Sequence, residues 1–239
     1  MSVTVGDGDA TADPGTRSGS APRWMRVLIM SAAVLAVLLL GASLGMVVQP
    51  PDRGPAQPAA DSVDVGFAQD MSVHHRQAVL MAGLARERSD DLAIRSLAFD
   101  IERTQLEQVG RMQGWLSLWN AAALPLGPHM TWMTDATTMG EMAHGEGGST
   151  GVATMPGMAS PVELDQLSSA SGAEFDVLFL QLMLRHHQGG TSMAQHAAQY
   201  AETAQVRNLA EKIVISQNSE SEYLATLISQ RGAQPLPLS

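Results

Sequence analysis

The sequence predicts an all-α protein: an antiparallel four-helix bundle of two repeated helical hairpins, preceded by one N-terminal transmembrane helix. Three observations carry this. An uncharged apolar run of 22 residues, 27–48, lies near the N-terminus. A segment of some forty positions recurs without a gap at a constant offset of 112 residues. Within each copy, apolar residues return at alternating steps of four and three, the period of a helix with one buried face.

Composition narrows the function classes. The 239 residues carry 24 acidic and 14 basic side chains, for a net charge of −10, and Lys212 is the single lysine. Nucleic-acid binding, which needs clustered Lys and Arg, is therefore not expected. Cysteine is absent. That excludes disulfides, thiolate metal sites and a lipid-bearing N-terminal cysteine, so any metal must be held by imidazole, thioether or carboxylate. Aromatic residues are only 4%, which favours helices with aliphatic and Met cores over a β-sandwich.

In chain order, residues 1–23 are rich in Gly, Ser, Thr and Asp and read as a disordered cytoplasmic tail. Residues 24–48 read as a transmembrane anchor or signal segment. As a helix, the apolar run spans about 33 Å, enough for a hydrocarbon core of about 30 Å. Arg17, Arg23 and Arg26 precede it, and the first charges after it are Asp52 and Arg53. The positive-inside tendency then places the tail in the cytoplasm and the rest outside. A signal peptide cleaved near Gly41-Ala42-Ser43 is the alternative. The expected location is the cytoplasmic membrane, single-pass with an extracytoplasmic C-terminal domain, or secretion if the segment is cleaved. Residues 49–61 form a Pro-rich, semi-rigid linker. Residues 62–232 form the bundle domain, with a Met/His-rich insertion at about 121–170.

The repeat defines the hairpins. Phe67-x-x-x-Met71-x-x-His74-His75 recurs as Phe179-x-x-x-Met183-x-x-His186-His187, and Met81-Ala82 as Met193-Ala194. Ile94, Leu97, Ala98, Ile101 and Gln105 map onto Val206, Leu209, Ala210, Ile213 and Gln217. Ser89-Asp90-Asp91 supplies the first turn and an N-cap. Two hairpins, each with one apolar face, bury those faces as a four-helix bundle.

Polar residues interrupt these faces at matched places: His74, Gln105 and Gln108 in the first unit, His186, Gln217 and Glu220 in the second. Buried polar groups are costly unless paired. Folding each hairpin about its turn puts residue 74 level with 105 and 71 with 108, and likewise 186 with 217 and 183 with 220. This predicts one polar layer per hairpin. Met71 lies one turn before His74 and His75, so thioether and imidazole can share a centre. Such a donor set suits copper better than hard ions. Gln105, Gln108, Gln217 and Glu220 are placed to hold the second ring N–H of a ligating histidine. A lone seam histidine is more often a structural residue; duplication with matched partners favours metal. Two further expectations follow: removing His186 and His187 spares the other site, and affinity weakens as pH falls through roughly 6.5.

The insertion holds His129, Met130, Met133, Met139, Met142, His144, Met155 and Met158 among Gly, Thr and Ser. These could gather Cu(I) as accessory ligands or, with Trp132, cap the bundle end. Glu141-Met-Ala-His144 has the Glu-x-x-His spacing of di-iron bundles but stands alone on a Gly-rich loop. Because the hairpins own the apolar seams, the insertion is expected to be dispensable for folding.

The doubled Phe-x-x-x-Met-x-x-His-His motif, the Met-Ala six residues after each second His and the Ser-Gly-Ala-Glu-Phe-Asp-x-x-Phe-Leu stretch at 171–180 resemble the DUF305 family. The resemblance covers roughly residues 62–232. It implies a ferritin-like four-helix bundle, usually exported, some of whose members bind copper in the periplasm and contribute to copper resistance. The family's ligand positions fall on Met71, His74, His75, Met81, Met183, His186, His187 and Met193. Gln108 departs from its repeat partner Glu220, and the charge of Arg185, directly before the second His pair, would oppose a bound cation.

The leading expectation is thus a non-enzymatic, extracytoplasmic metal-binding protein with copper as its cofactor, or another transition metal, acting as buffer, scavenger or chaperone. The alternatives are a redox enzyme of cuprous-oxidase type at the same sites, which needs an open coordination position, and a structural or signalling bundle whose polar layers set register. No nucleophile triad, phosphate loop or dinucleotide fingerprint is present. The expected partners are a metal ion and, through the N-terminal helix, the membrane.

Overall fold

A computed structural model describes residues 22–48, 57–133 and 151–238. The chain forms two compact units, residues 1–56 and 57–239. The first contains α1 (Arg23–Val48), long and apolar enough to cross a membrane, with a mean hydropathy of 2.6 over Arg23–Gly45 and nothing of it buried. It fits a signal anchor or a signal peptide. Most of the expected tail and most of the Pro-rich linker lie outside the described residues.

The second unit is all-helical among the described residues: α2 (Val63–Arg88), α3 (Leu92–Leu118), α4 (Pro161–Ser169), α5 (Gly172–Tyr200) and α6 (Ala204–Gln230). The helices begin where side chains satisfy their free N–H groups. Ser62 accepts from Val65 N, Asp91 from the backbone N of Ala93 and Ile94, and Thr203 from Val206 N. Arg86 and Arg88 sit in the last turn of α2, where positive charge suits the helix dipole. α2 and α3 form one hairpin, α5 and α6 the other, and the hairpins meet along α2 and α5. Asp64, at the start of α2, accepts from Glu202 N (2.7 Å), Thr203 N (2.9 Å) and Thr203 Oγ1 (2.6 Å) beyond the end of α5. α2 and α5 are therefore antiparallel. Arg231, closing α6, pairs with Asp91 at the head of α3.

α4 lies inside the stretch read as a Met/His-rich insertion at about 121–170, for which no helix was expected. Its signal was in the sequence: Ser160 and Glu163 form a reciprocal capping box with Pro161 in the first turn.

The insertion is also not separable from the core. Met130, Trp132, Met133 and Met155 are buried in one apolar cluster with Phe67, Met71, Met112 and Met193. The buried Asp70 carboxylate accepts from His129 Nδ1 (2.7 Å), Met130 N (2.7 Å) and Trp132 Nε1 (2.8 Å). His129 and Val152 exchange both backbone hydrogen bonds and close the two limbs of the loop. Met130 sits at φ 61°, an uncommon conformation for a non-glycine residue, held by that carboxylate. Trp132 packs edge-on to Phe67, and only a glycine at 66 admits it, since a Cβ there would lie 2.2 Å from the indole. These contacts weigh against a dispensable loop: among the described residues, the hydrogen bonds to the buried Asp70 carboxylate come from the loop.

Candidate metal centre

The repeat brings the four histidines of its two His-His pairs to the level where α2 meets α5. His74, His75, His186 and His187 are fully buried, each at 0% exposure. The His74 and His186 rings lie 3.8 Å apart between centroids, inclined by 36°. Hairpin register alone placed these residues in separate layers, 74 with 105 and 186 with 217. The antiparallel α2–α5 contact instead joins them across hairpins, so the two His pairs are not independent.

Small residues make this contact possible. A Cβ on Gly190 would stand 2.9 Å from Gln217 Oε1 and 3.0 Å from His74 Cε1. Gly190 thus lets Gln217 and the His74 ring approach α5, and Ala78 holds the matching place on α2.

The hydrogen bonds differ from the expected register. His75 Nε2 bonds Gln108 Oε1 at 2.7 Å and His187 Nε2 bonds Glu220 Oε2 at 2.6 Å. Gln108 and Glu220 thus serve the second histidine of each pair. Gln105 is buried with both amide atoms unpartnered, and Gln217 has only a 3.4 Å contact from Thr191 Oγ1 and an unpartnered Nε2. His74 Nε2 reaches the Pro156 carbonyl at 3.2 Å. The strap 155–159 that supplies this carbonyl is pinned by Gln77, whose amide pairs both ways with the backbone of Ala159. It lies so close to α5 that a Cβ on Gly189 would come within 2.0 Å of Pro156 O. Gly157 adopts φ +77° directly over the Arg185 carbonyl.

Burial governs protonation. His74 is pushed down to about 4 by desolvation, against a raising contribution from the Pro156 carbonyl. His75 is pushed down to about 3, by desolvation and then by His74, with Gln108 opposing. His186 is lowered well below the ordinary value by desolvation and its neighbouring histidines, and the His74 carbonyl is the one group favouring its charged form. Desolvation dominates because an apolar interior disfavours charge. The expected titration near 6.5 is thereby displaced to lower pH. Arg185 does not confront the centre with bare charge: its guanidinium forks onto Glu163 of α4 with two 2.8 Å bonds, which hold that carboxyl well below its usual range.

The expected thioethers are all fully buried: Met71 and Met193 share the apolar cluster on one side of the histidines, Met81 and Met183 the cluster on the other. Each pair combines one Met from each hairpin. Among the described residues, no three His, Asp or Glu side chains gather around one ion position. A metal here would therefore depend on thioether together with imidazole, and the donors fit such an ion. Nδ1 of His74, His75 and His187 and both nitrogens of His186 are buried without a hydrogen bond. Unpartnered ring nitrogens and thioether sulfurs in a buried interior suit a soft cation.

Of the accessory candidates, His129 is engaged by Asp70, Met130, Met133 and Met155 are in the core, and Met158 is half-buried. Met139, Met142 and His144, with Glu141, lie outside the described residues. Sequence reasoning missed Asp70, Gln77 and the Pro156 carbonyl. The signal was available as breaks in the repeat: Gly66 stands against Leu178, Asp70 against Leu182 and Gln77 against Gly189, all where the loop docks.

The family described as domain of unknown function DUF305 matches residues 64–228. A DUF305 protein of Streptomyces coelicolor, described as secreted, is 42% identical with a TM-score of 0.65, over 75% of this chain and 99% of that one. A DUF305 fragment from Deinococcus radiodurans gives 31% and 0.55, over 74% and 99%. CopM in its Cu(I)-bound form shares the fold at 22% identity and a TM-score of 0.51, over 70% and 96%. No curated protein matches the chain.

Proposed function

The chain belongs to the DUF305 family, and from that premise we propose that it is an extracytoplasmic metal-binding protein that buffers, scavenges or confers resistance to copper. The observation that carries this reading is His186. It is a fully buried imidazole tilted against His74, with neither ring nitrogen hydrogen-bonded among the described residues. Such a group costs stability unless something else uses its nitrogens. CopM, a distant protein of the same fold solved in Cu(I)-, Cu(II)- and Ag-bound forms, supports this reading.

The ligands would come from His74, His75, His186 and His187 with Met71, Met81, Met183 and Met193. A bound copper ion would supply positive charge and soft coordination. The protein supplies imidazole and thioether donors in a buried interior. Residues 62–232 would lie outside the cytoplasmic membrane and 1–23 inside, joined by residues 24–48 and the linker 49–61. Protease treatment of intact cells tests this arrangement: the bundle should be digested and the N-terminal tail protected.

The decisive measurement is a titration of the purified chain with Cu(I) and Cu(II), with thermal melts alongside. Because the centre spans both hairpins, His74→Leu and His186→Leu should each impair the same binding event. Unchanged stoichiometry and affinity in both variants, with only the melts shifted, would mean that the histidines are structural.

A further inference from the structure

Three of the four histidines share one hydrogen-bond pattern. His74 directs Nε2 at the Pro156 carbonyl, His75 at Gln108 Oε1 and His187 at Glu220 Oε2. Every partner is an oxygen. A backbone carbonyl and a carboxylate only accept, and Gln108 presents its carbonyl oxygen, so Nε2 carries the hydrogen in each ring. In all three, Nδ1 is buried and without a partner. The opposite tautomer would set the Nε2 lone pair against an oxygen lone pair and strand an N–H in an apolar interior.

We propose that Nδ1 is the metal-donating atom of His74, His75 and His187, and that the Pro156 carbonyl, Gln108 and Glu220 are the positioning groups that fix it. This rests on the metal-centre reading above. It follows a general division of labour, in which the ring nitrogen that does not bind metal donates to a carbonyl or carboxylate and thereby sets tautomer and ring angle. Two of the acceptors come from the hairpin partner helix, three residues beyond each buried Gln105 or Gln217. The third comes from the strap, which occurs once in the chain. His186 has the His74 carbonyl nearby but, among the described residues, no acceptor at hydrogen-bond distance, so its tautomer is the least constrained of the four. The acceptors are also graded, since Glu220 brings negative charge where Gln108 brings none. His187 is the more strongly donating of the second-position rings.

The test is nitrogen NMR of the metal-free, full-length chain in detergent micelles, with labelled histidine and assignment by single-histidine substitutions. Long-range proton–nitrogen correlations at mildly alkaline pH should show Nε2–H with an unprotonated Nδ1 for His74, His75 and His187. Silver(I) added as a diamagnetic probe should move the Nδ1 signals of these rings and leave their Nε2 protons in place. Glu220→Gln retains an acceptor oxygen and should keep the His187 tautomer; Glu220→Leu should let it mix, with the remaining amide spectrum unchanged. If the Leu variant does not fold, the wild-type and Gln spectra still decide. An Nδ1–H tautomer in any of the three, or silver shifts on Nε2, overturns the assignment while leaving metal binding intact. Nε2–H throughout, with no response to silver, overturns the metal reading and this assignment together.

Discussion

In the first hairpin His75 faces the uncharged Gln108 and His74 is tied to the Pro156 carbonyl; in the second His187 faces the charged Glu220, and neither nitrogen of His186 makes a hydrogen bond. The same contrast runs along both first helices. Asp70 anchors the loop where its counterpart Leu182 is plain core, and Gln77 grips the strap where Gly189 makes room for it. A near-symmetric bundle with a single insertion has to break its symmetry, because the loop can dock only once. The apolar seam is thus common to both hairpins, while the polar chemistry is divided between them.

The largest effect should come from removing what only the first hairpin has. Replacing residues 128–158 with a short Gly/Ser linker takes away all three donors to Asp70 and four buried side chains. The expected result is loss of the cooperative melt. Asp70→Ala alone should destabilise by roughly 1–3 kcal/mol for each buried N–H it strands, Met130 N and Trp132 Nε1. A deletion variant that melts like the parent would show that the hairpins are self-sufficient and equal.

A smaller, graded effect is expected in acid. His74, His75 and His186 stay neutral in the folded metal-free protein, whereas in the unfolded chain they take up protons below roughly 6.5. The unfolded state then binds more protons, so stability is full above that value and declines as pH falls. The decline levels off once pH passes the folded values of about 4 for His74 and about 3 for His75. Denaturant melts across this window measure the slope, and His186→Leu should flatten it. A slope untouched by the substitution would mean that His186 does not contribute.

The smallest effect separates the paired rings themselves. In the metal-free protein His74→Leu strands the Pro156 carbonyl and should cost roughly 1–3 kcal/mol, whereas His186→Leu removes a ring with no hydrogen bond to lose and should be close to neutral. Equal losses in chemical denaturation would erase the distinction between the two rings.

The hairpins were legible because their information is local. Periodic seams, the Asp91 cap and the 112-residue offset each need only a short window of sequence. α4 was legible by the same rule through Ser160-Pro161-Val-Glu163, and was passed over inside a loop of unusual composition. The meeting of His74 with His186 was not legible. Register within a hairpin follows from its turn, but register between α2 and α5 depends on how two distant faces pack, with Asp64 locking onto the Glu202–Thr203 turn. The role of the loop was half-visible: Gly66, Asp70 and Gln77 broke a repeat that was otherwise kept, and such breaks mark where something docks.

The crossing of His74 over His186 also has a consequence in time. Contacts within each hairpin join residues close in sequence, whereas this one joins residues 112 apart, and the entropy of closing a loop grows with its length. Local contacts are expected to form first and distant ones late. The crossing would then be absent from the folding transition state, so the destabilising substitution at His74 should speed unfolding and leave the folding rate unchanged. Stopped-flow kinetics would show this as a shift of the unfolding arm alone. An ion captured at such a late-closing contact would act as a brake on opening, lengthening the lifetime of the folded domain without hastening its birth.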